Sequence, residues 1–254
     1  MSDGTVVSAR GLRVRYGPQL VLDGVDLRLE RGESLAVVGE SGSGKSTLLR
    51  ALARLQRADE GEIHWFGEPV AAARPSRLRR LRARLQMVFQ DSSSTLDPRF
   101  TVRQAVREGL DVHGEGLPSE RARRVADLLA RLGIADELHD RLPHELSGGQ
   151  RQRVNIARAL VLRPEVVFFD EPVSSLDVIV QRDLIELLDE TRTEQGLTSI
   201  VVLHDLAVAA QLASRIVVLR SGVVVEEGPA HELLTAPRHP YTRELLLAAR
   251  AAAR

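Results

Sequence analysis

Hydrophobic positions along this chain change their period more than once. Near the start they alternate: Val21, Val25, Leu27 and Leu29 share one side of a run at 20–29, the period of two that marks a strand with one buried face. Residues 6–14 read the same way, so the N-terminal part is expected as antiparallel β. Residues 34–38 form a short, mostly apolar run of the kind found in buried strands. A glycine-rich loop follows at once, and 46–55 then reads as a helix. Short strands are expected at 63–66 and 86–89. From about 101 to 162 the pattern turns helical. Within 120–132, Val125, Leu128, Leu129 and Leu132 recur with charges between them. A second helix spans 150–162 and is stopped by Arg163-Pro164. Runs at 166–169, 199–203 and 216–219 then alternate with helices, as in a parallel sheet. Residues 223–226 pair back after Ser221-Gly222, and a proline-punctuated loop at 235–240 precedes a last helix over 241–252. The pattern predicts one α/β domain, its core made of 1–90 and 166–254, with a helical segment at 91–165 set into it.

Composition narrows the function. The 254 residues are 43% hydrophobic and 28% charged, ordinary for a globular chain that can bury a core. Formal net charge is zero, so bulk electrostatics point to no polyanionic partner. The absence of cysteine excludes disulfides, thiolate metal sites and cysteine-held clusters. No basic and apolar leader pattern opens the chain, and no apolar run approaches the ~18 residues of a membrane span. A cytosolic location is expected, with any membrane role coming through a partner. One oddity remains: of 35 basic residues only Lys45 is lysine.

That lysine lies in Gly39-Glu40-Ser41-Gly42-Ser43-Gly44-Lys45-Ser46-Thr47, which fits the phosphate-binding pattern G-x-x-x-x-G-K-[ST] between a strand and a helix. Backbone N–H groups from Gly42 to Thr47 are expected to converge on phosphates at the positive end of the helix. Lys45 would reach the β- and γ-phosphates, and Ser46 would offer its hydroxyl to Mg²⁺. Inside such a loop a compact ammonium fits better than a forked guanidinium. The fold class this implies is α/β: a P-loop NTPase core, a parallel sheet flanked by helices, with an N-terminal antiparallel β subdomain and an inserted α-helical subdomain.

Two further motifs carry chemistry. Val166-Val167-Phe168-Phe169-Asp170-Glu171 is an apolar strand ending in a carboxylate suited to Mg²⁺, followed by one suited to general base catalysis on water. Alone it would read equally well as a buried strand with a solvated acidic turn. Leu146-Ser147-Gly148-Gly149-Gln150 leads into a helix N-terminus and can read an anion; alone it would be a serine cap. Two phosphate readers with one lysine loop suggest that the second serves a nucleotide held by another copy or a paralogue.

With these residues in order, the chain resembles the nucleotide-binding subunit of an ATP-binding cassette (ABC) transporter along essentially its whole length. The resemblance implies an ATPase using ATP and Mg²⁺. It places Tyr16 against adenine. Gln90, after Met87-Val88-Phe89, would touch Mg²⁺ and sense a membrane subunit. His204 would contact the γ-phosphate, and Asp177 of Ser174-Ser175-Leu176-Asp177 would lie in the loop that crosses a dimer interface. Glu171, His204, Lys45 and Gln90 form the implied catalytic set. Gly39, Ser41, Gly42, Ser43, Gly44, Ser46, Thr47, Ser147, Gly148, Gly149 and Gln150 would hold nucleotide, and Ser46, Gln90 and Asp170 would hold the metal. Two subunits would close head-to-tail round two ATP molecules, so that Ser147 and Gly149 of one face the γ-phosphate at Lys45 of the other.

Finer features are similar to the dipeptide, oligopeptide and nickel importer subfamily: the arginine-rich stretch before Gln90, Leu96-Asp97-Pro98-Arg99, and above all His239-Pro240-Tyr241-Thr242. Asn is commoner there than Asp97, and Ser or Thr commoner than Leu203 before His204. Integral membrane permeases, a second ATPase subunit and, indirectly, an extracytoplasmic binding protein are the implied partners, at the cytoplasmic face of the cell membrane, with no nucleic acid expected. The arginine run at 74–84 reads as a solvated helix face. A soluble cassette ATPase acting on nucleic acid or the ribosome, and an accessory ATPase of a carbon–phosphorus lyase, remain the alternatives.

Overall fold

A computed structural model describes residues 4–91, 95–172 and 178–252. Contacts divide the chain into two compact units: residues up to Pro75 with those from Thr191 onward, and Ser76–Glu190. The second unit is wider than the segment expected at 91–165, because the flanking strands and most of the following helix cluster with it.

In the first unit, β1 (Thr5–Tyr16), β2 (Gln19–Glu30), β4 (Glu60–Trp65) and β5 (Glu68–Pro69) form an antiparallel sheet in the order β2-β1-β4-β5. Alternation holds in β2 at Val25, Leu27 and Leu29, which are buried, with the exposed Asp26 and Arg28 between them. It does not carry on to Val21. The β1–β2 register shifts between Leu12 and Val14, and such a bulge turns the strand, so Leu22 is buried instead and Val21 only partly.

The same unit holds β3 (Ser34–Val38), whose five residues are all buried. It runs parallel to β8 (Thr198–Leu203) on one side and to β9 (Arg215–Arg220) on the other. The strand β10 (Val223–Pro229) returns antiparallel to β9. Continuous apolar runs are what parallel strands covered on both faces require. The helix α1 (Lys45–Leu52) leaves the β3 loop. It stops three residues short of the expected end: the buried Trp65 indole N–H donates to the Leu52 carbonyl at 2.8 Å, and Arg54 turns to φ 58°.

The second unit pairs β6 (Leu85–Val88) in parallel with β7 (Val166–Asp170). The arginine-rich α2 (Pro75–Arg84) leads into it and buries only Leu81, as a solvated face would. Between the strands lie α3 (Val102–His113), α4 (Pro118–Arg131) and α5 (Gly148–Leu160). Each starts where the sequence supplies a device: the Gln104 Oε1 accepts from Thr101 N at 2.9 Å, Pro118 opens α4 while Glu120 accepts from Leu117 N at 2.8 Å, and Ser147 caps α5. Leu110, Leu129 and Val154 are fully buried where these helices meet. The helix α6 (Val178–Gln195) follows β7; α7 (Leu206–Leu212), α8 (Ala230–Thr235) and α9 (Pro240–Ala252) belong to the first unit.

One ion pair closes the base of the first unit. Arg215 at the start of β9 donates from Nε and Nη2 to the two Glu33 oxygens at 2.5 and 2.9 Å, and from Nη2 to the Arg28 carbonyl at 2.5 Å. Burial works to raise the Glu33 carboxyl. The Arg215 hydrogen bonds outweigh it, helped by the Glu30 N–H and by charge attraction, and hold the carboxyl below the usual range. A depressed carboxylate stabilises the fold above its unfolded pKa, and that stabilisation is lost as pH falls through the folded value. Glu33→Gln should therefore cost about 1–3 kcal/mol at neutral pH, seen as a drop in Tm. The gap between variant and wild type should narrow in melts run below about pH 4; an equal gap at both pH values would remove the charge from the explanation.

Candidate functional site

The phosphate loop is built between β3 and α1 and is held from several sides. The backbone of β9 presses on it: a Cβ at Gly39 would lie 2.2 Å from the Leu219 carbonyl oxygen. At Gly44 the φ is 104°, and a Cβ would meet the Leu22 side chain at 2.9 Å and the Val21 carbonyl at 3.0 Å. Only glycine fits either place. From the β9–β10 hairpin, Gly222 N donates to Ser43 O at 2.9 Å.

Lys45 is buried, with 5% of its surface exposed. Its ammonium donates to the carbonyls of Gly39 at 2.7 Å and Glu40 at 2.8 Å. A buried charge persists only when hydrogen-bonded in this way. Ser43 Oγ is also buried, yet finds no hydrogen-bond partner among the described residues, which is the signature of polar capacity kept for a ligand or a water. Ser41 and Gly42 are exposed at the loop's crest, Gly44 is buried, and Ser46 and Thr47 are half-buried at the first turn of α1. Loop, burial and charge together make an anion cradle.

The other first-unit candidates sit at strand ends. Tyr16 closes β1, is 45% exposed, and its hydroxyl lies 3.4 Å from Gln56 Oε1. His204 is exposed immediately after the buried β8. The next residue, Asp205, caps α7 by accepting from Ala207 N at 2.6 Å and Val208 N at 3.1 Å, so the chain turns sharply at the histidine.

In the second unit Asp170 ends β7 fully buried. Glu171 takes a left-handed backbone, φ 47°, a conformation costing a non-glycine residue of order 1–3 kcal/mol and concentrated at functional sites. Its Oε2 accepts from Gln90 Nε2 at 2.9 Å, so two of the expected functional side chains touch. Ser147 Oγ accepts from Gln150 N at 3.2 Å, and Gln150 Oε1 accepts from Ser147 N at 2.9 Å. This reciprocal capping box uses the serine as an acceptor and leaves its own O–H to donate outward. The cap and the anion reader are thus compatible readings of one hydroxyl. Gly148 and Gly149 open α5 beside it. Asp97 is drawn down to about 2 by side-chain and backbone hydrogen bonds to Arg99, so this unusual aspartate serves as a charged turn. Asp177, with Ser174 and Ser175, lies outside the described residues.

Among the described residues no three His, Cys, Asp or Glu form a metal cage. The expected donors are one carboxylate (Asp170), one hydroxyl (Ser46) and one amide (Gln90). Such a sparse, hard-oxygen set suits Mg²⁺, which keeps waters and leans on substrate phosphates.

One contact had no place among the expected site residues. The Tyr241 hydroxyl accepts from Glu40 N at 2.9 Å, across 201 positions of sequence. The His239-Pro240-Tyr241-Thr242 motif was the available signal, but as a mark of resemblance it said nothing of where the phenol goes.

Comparison with known proteins identifies the family. The family model described as "ABC transporter" matches residues 22–174. The chain is 43% identical over 233 residues to the oligopeptide transport ATP-binding protein AppF of Bacillus subtilis, covering 91% of this chain and 71% of AppF. It is 42% identical over 228 residues to the oligopeptide transport ATP-binding protein OppF of Escherichia coli, covering 89% and 68%. The dimeric post-hydrolysis structure of the ATP-binding cassette MJ0796 with ADP and Pi superposes with a TM-score of 0.80 at 31% identity, covering 88% of this chain and 98% of that one. A lysine buried in a glycine loop, a strained glutamate touching a glutamine, and a match to transport ATPases over 91% of the chain lead to one conclusion: the chain belongs to the ABC transporter family, as an ATP-binding and ATP-hydrolysing subunit.

Proposed function

We propose that this chain powers an importer of peptides, working as one of a pair of ATPase subunits docked on integral membrane permeases at the cytoplasmic face of the cell membrane. The observation that carries the cargo class is the 43% identity to AppF across 91% of the chain. An extracytoplasmic binding protein would deliver the peptide, and the surface beside Gln90 would receive a helix of the permease. That no described helix is long and apolar enough to cross a membrane fits a subunit that reaches the membrane through partners.

The proposed chemistry follows from the residues. Lys45, already dehydrated by the loop, offers its ammonium to the γ-phosphate, and the backbone N–H groups from Gly42 to Thr47 take up the phosphate oxygens. Tyr16 stacks on the adenine. Glu171 orients water and takes its proton as general base. Gln90, hydrogen-bonded to Glu171, reports the state of the permease to that base. His204 helps offset charge on the transferring group. Ser46, Asp170 and Gln90 would hold Mg²⁺, which supplies charge neutralisation at the β- and γ-phosphates. Ser147 and Gly149 complete the site of a partner subunit, and Asp177 belongs to the loop that meets it. Catalysis then depends on closure of the pair, so binding closes the dimer and hydrolysis reopens it.

Glu171→Gln should bind ATP, lose hydrolysis by at least roughly a hundredfold, and accumulate as a closed dimer on gel filtration with ATP. Turnover at the wild-type rate would remove Glu171 as the base. Lys45→Arg should lose ATP affinity although charge is kept, because the guanidinium cannot use the same two carbonyls within the buried loop; wild-type affinity in a nucleotide titration would refute the argument from shape. The assembly is read by pull-down from detergent-solubilised membranes. Recovery of integral membrane permeases is expected, whereas recovery of ribosomes or of a soluble lyase core in their place would overturn the importer reading.

A further inference from the structure

The segment at 237–243 is fastened at both ends. Glu226 of β10 accepts from the backbone N–H groups of Arg238 at 2.7 Å and His239 at 3.0 Å. Arg243 closes the turn by donating to the Pro237 carbonyl at 3.0 Å and the Arg238 carbonyl at 3.1 Å. The His239 ring then accepts from Tyr241 N at 3.2 Å. These bonds aim one side chain. Tyr241 is 1% exposed, and the Arg220 guanidinium lies 4.6 Å from the centre of its ring. Its hydroxyl reaches the Glu40 amide at 2.9 Å.

That amide is a consequential place to hold. The carbonyls of Gly39 and Glu40 flank it, and both accept from the Lys45 ammonium. The Glu40 N–H shares its peptide plane with the Gly39 carbonyl, so fixing it fixes one of the two planes that aim the lysine and the start of the other. The phenol and the ammonium thus grip the same Gly39–Glu40 peptide, the phenol through its N–H and the ammonium through its carbonyl. A loop held in its ligand-ready shape binds more tightly, because less ordering is left to the moment of binding.

We propose that Tyr241 is a positioning residue for nucleotide binding: its hydroxyl, carried on the first turn of α9 within the fastened segment, pre-orders the phosphate loop through Glu40. Tyr241 acts through the backbone and touches no substrate. The inference rests on the reading of the loop as an ATP site, and it makes the nucleotide affinity depend on a segment some two hundred residues away in sequence.

The test is Tyr241→Phe in the full chain, which keeps the ring and its contact with Arg220 and removes only the hydroxyl. Hydrogen–deuterium exchange without nucleotide reads the loop directly: peptides covering residues 39–45 should exchange faster in the variant, with the strands β1 and β2 unchanged. Titration with ATP should show affinity weaker by roughly three- to tenfold, the worth of about one hydrogen bond, and steady-state assays should raise KM with kcat nearly unchanged. Leu246→Ala, in the packed face of α9, is the control for general loosening. It should lower Tm without moving the KM or the exchange of 39–45. Unchanged exchange and KM in Tyr241→Phe, or an equal change in Leu246→Ala, would overturn the proposal. Faster exchange with no ATP binding even by the wild type would instead condemn the ATP reading and leave the loop contact standing as structure alone.

Discussion

Everything at the nucleotide end follows from keeping one ammonium out of water. A buried cation must be given acceptors or it neutralises. Here the acceptors are two carbonyls of the loop that carries it. The loop can present them only by doubling back on itself, which puts its glycines against the backbone of β9 and the side chain of Leu22. Those close approaches fix where β3 ends, where α1 begins and how tightly the β9–β10 hairpin must sit. The order β10-β9-β3-β8 is in this sense the frame required to desolvate Lys45.

The second unit solves a related problem with less burial. Glu171 is held in a left-handed backbone and tied to Gln90, so backbone strain and a hydrogen bond to Gln90 help place its carboxylate without full enclosure. Ser147 is likewise fixed by a capping box at the first turn of α5. Side chains near the surface wander unless local bonds hold them. Caps and strained turns supply that order where no core is available.

Much of this was legible in the sequence because the interactions concerned are local. The phosphate loop depends on nine consecutive residues, and β3 and β8 announce themselves by the apolar runs Leu35–Val38 and Ile200–Leu203. The caps of α3, α4 and α5 are written within four positions. Where tertiary contacts decide, the pattern misled or fell silent. The bulge in β2 moved burial from Val21 to Leu22. Trp65 cut α1 short through a carbonyl that no local rule marks. The two-residue β5 is too brief to carry a period. The bond from Glu40 N to the Tyr241 hydroxyl joins the two sequence segments of the first unit, and pairing at that separation leaves no periodic trace. The positive φ at Glu171 is similarly invisible, since nothing in a glutamate advertises it.

The scarcity of lysine has a practical side. Arginine supplies every other basic side chain, so the folded chain holds a single ε-amine, and that one is 5% exposed with two carbonyls upon it. Acylating reagents that consume the lysines of ordinary proteins would find no accessible side-chain target here. Any opening of the phosphate loop would expose that amine, and its modification would appear as one discrete mass increment. The chain therefore carries a built-in chemical reporter for the integrity of its own nucleotide site.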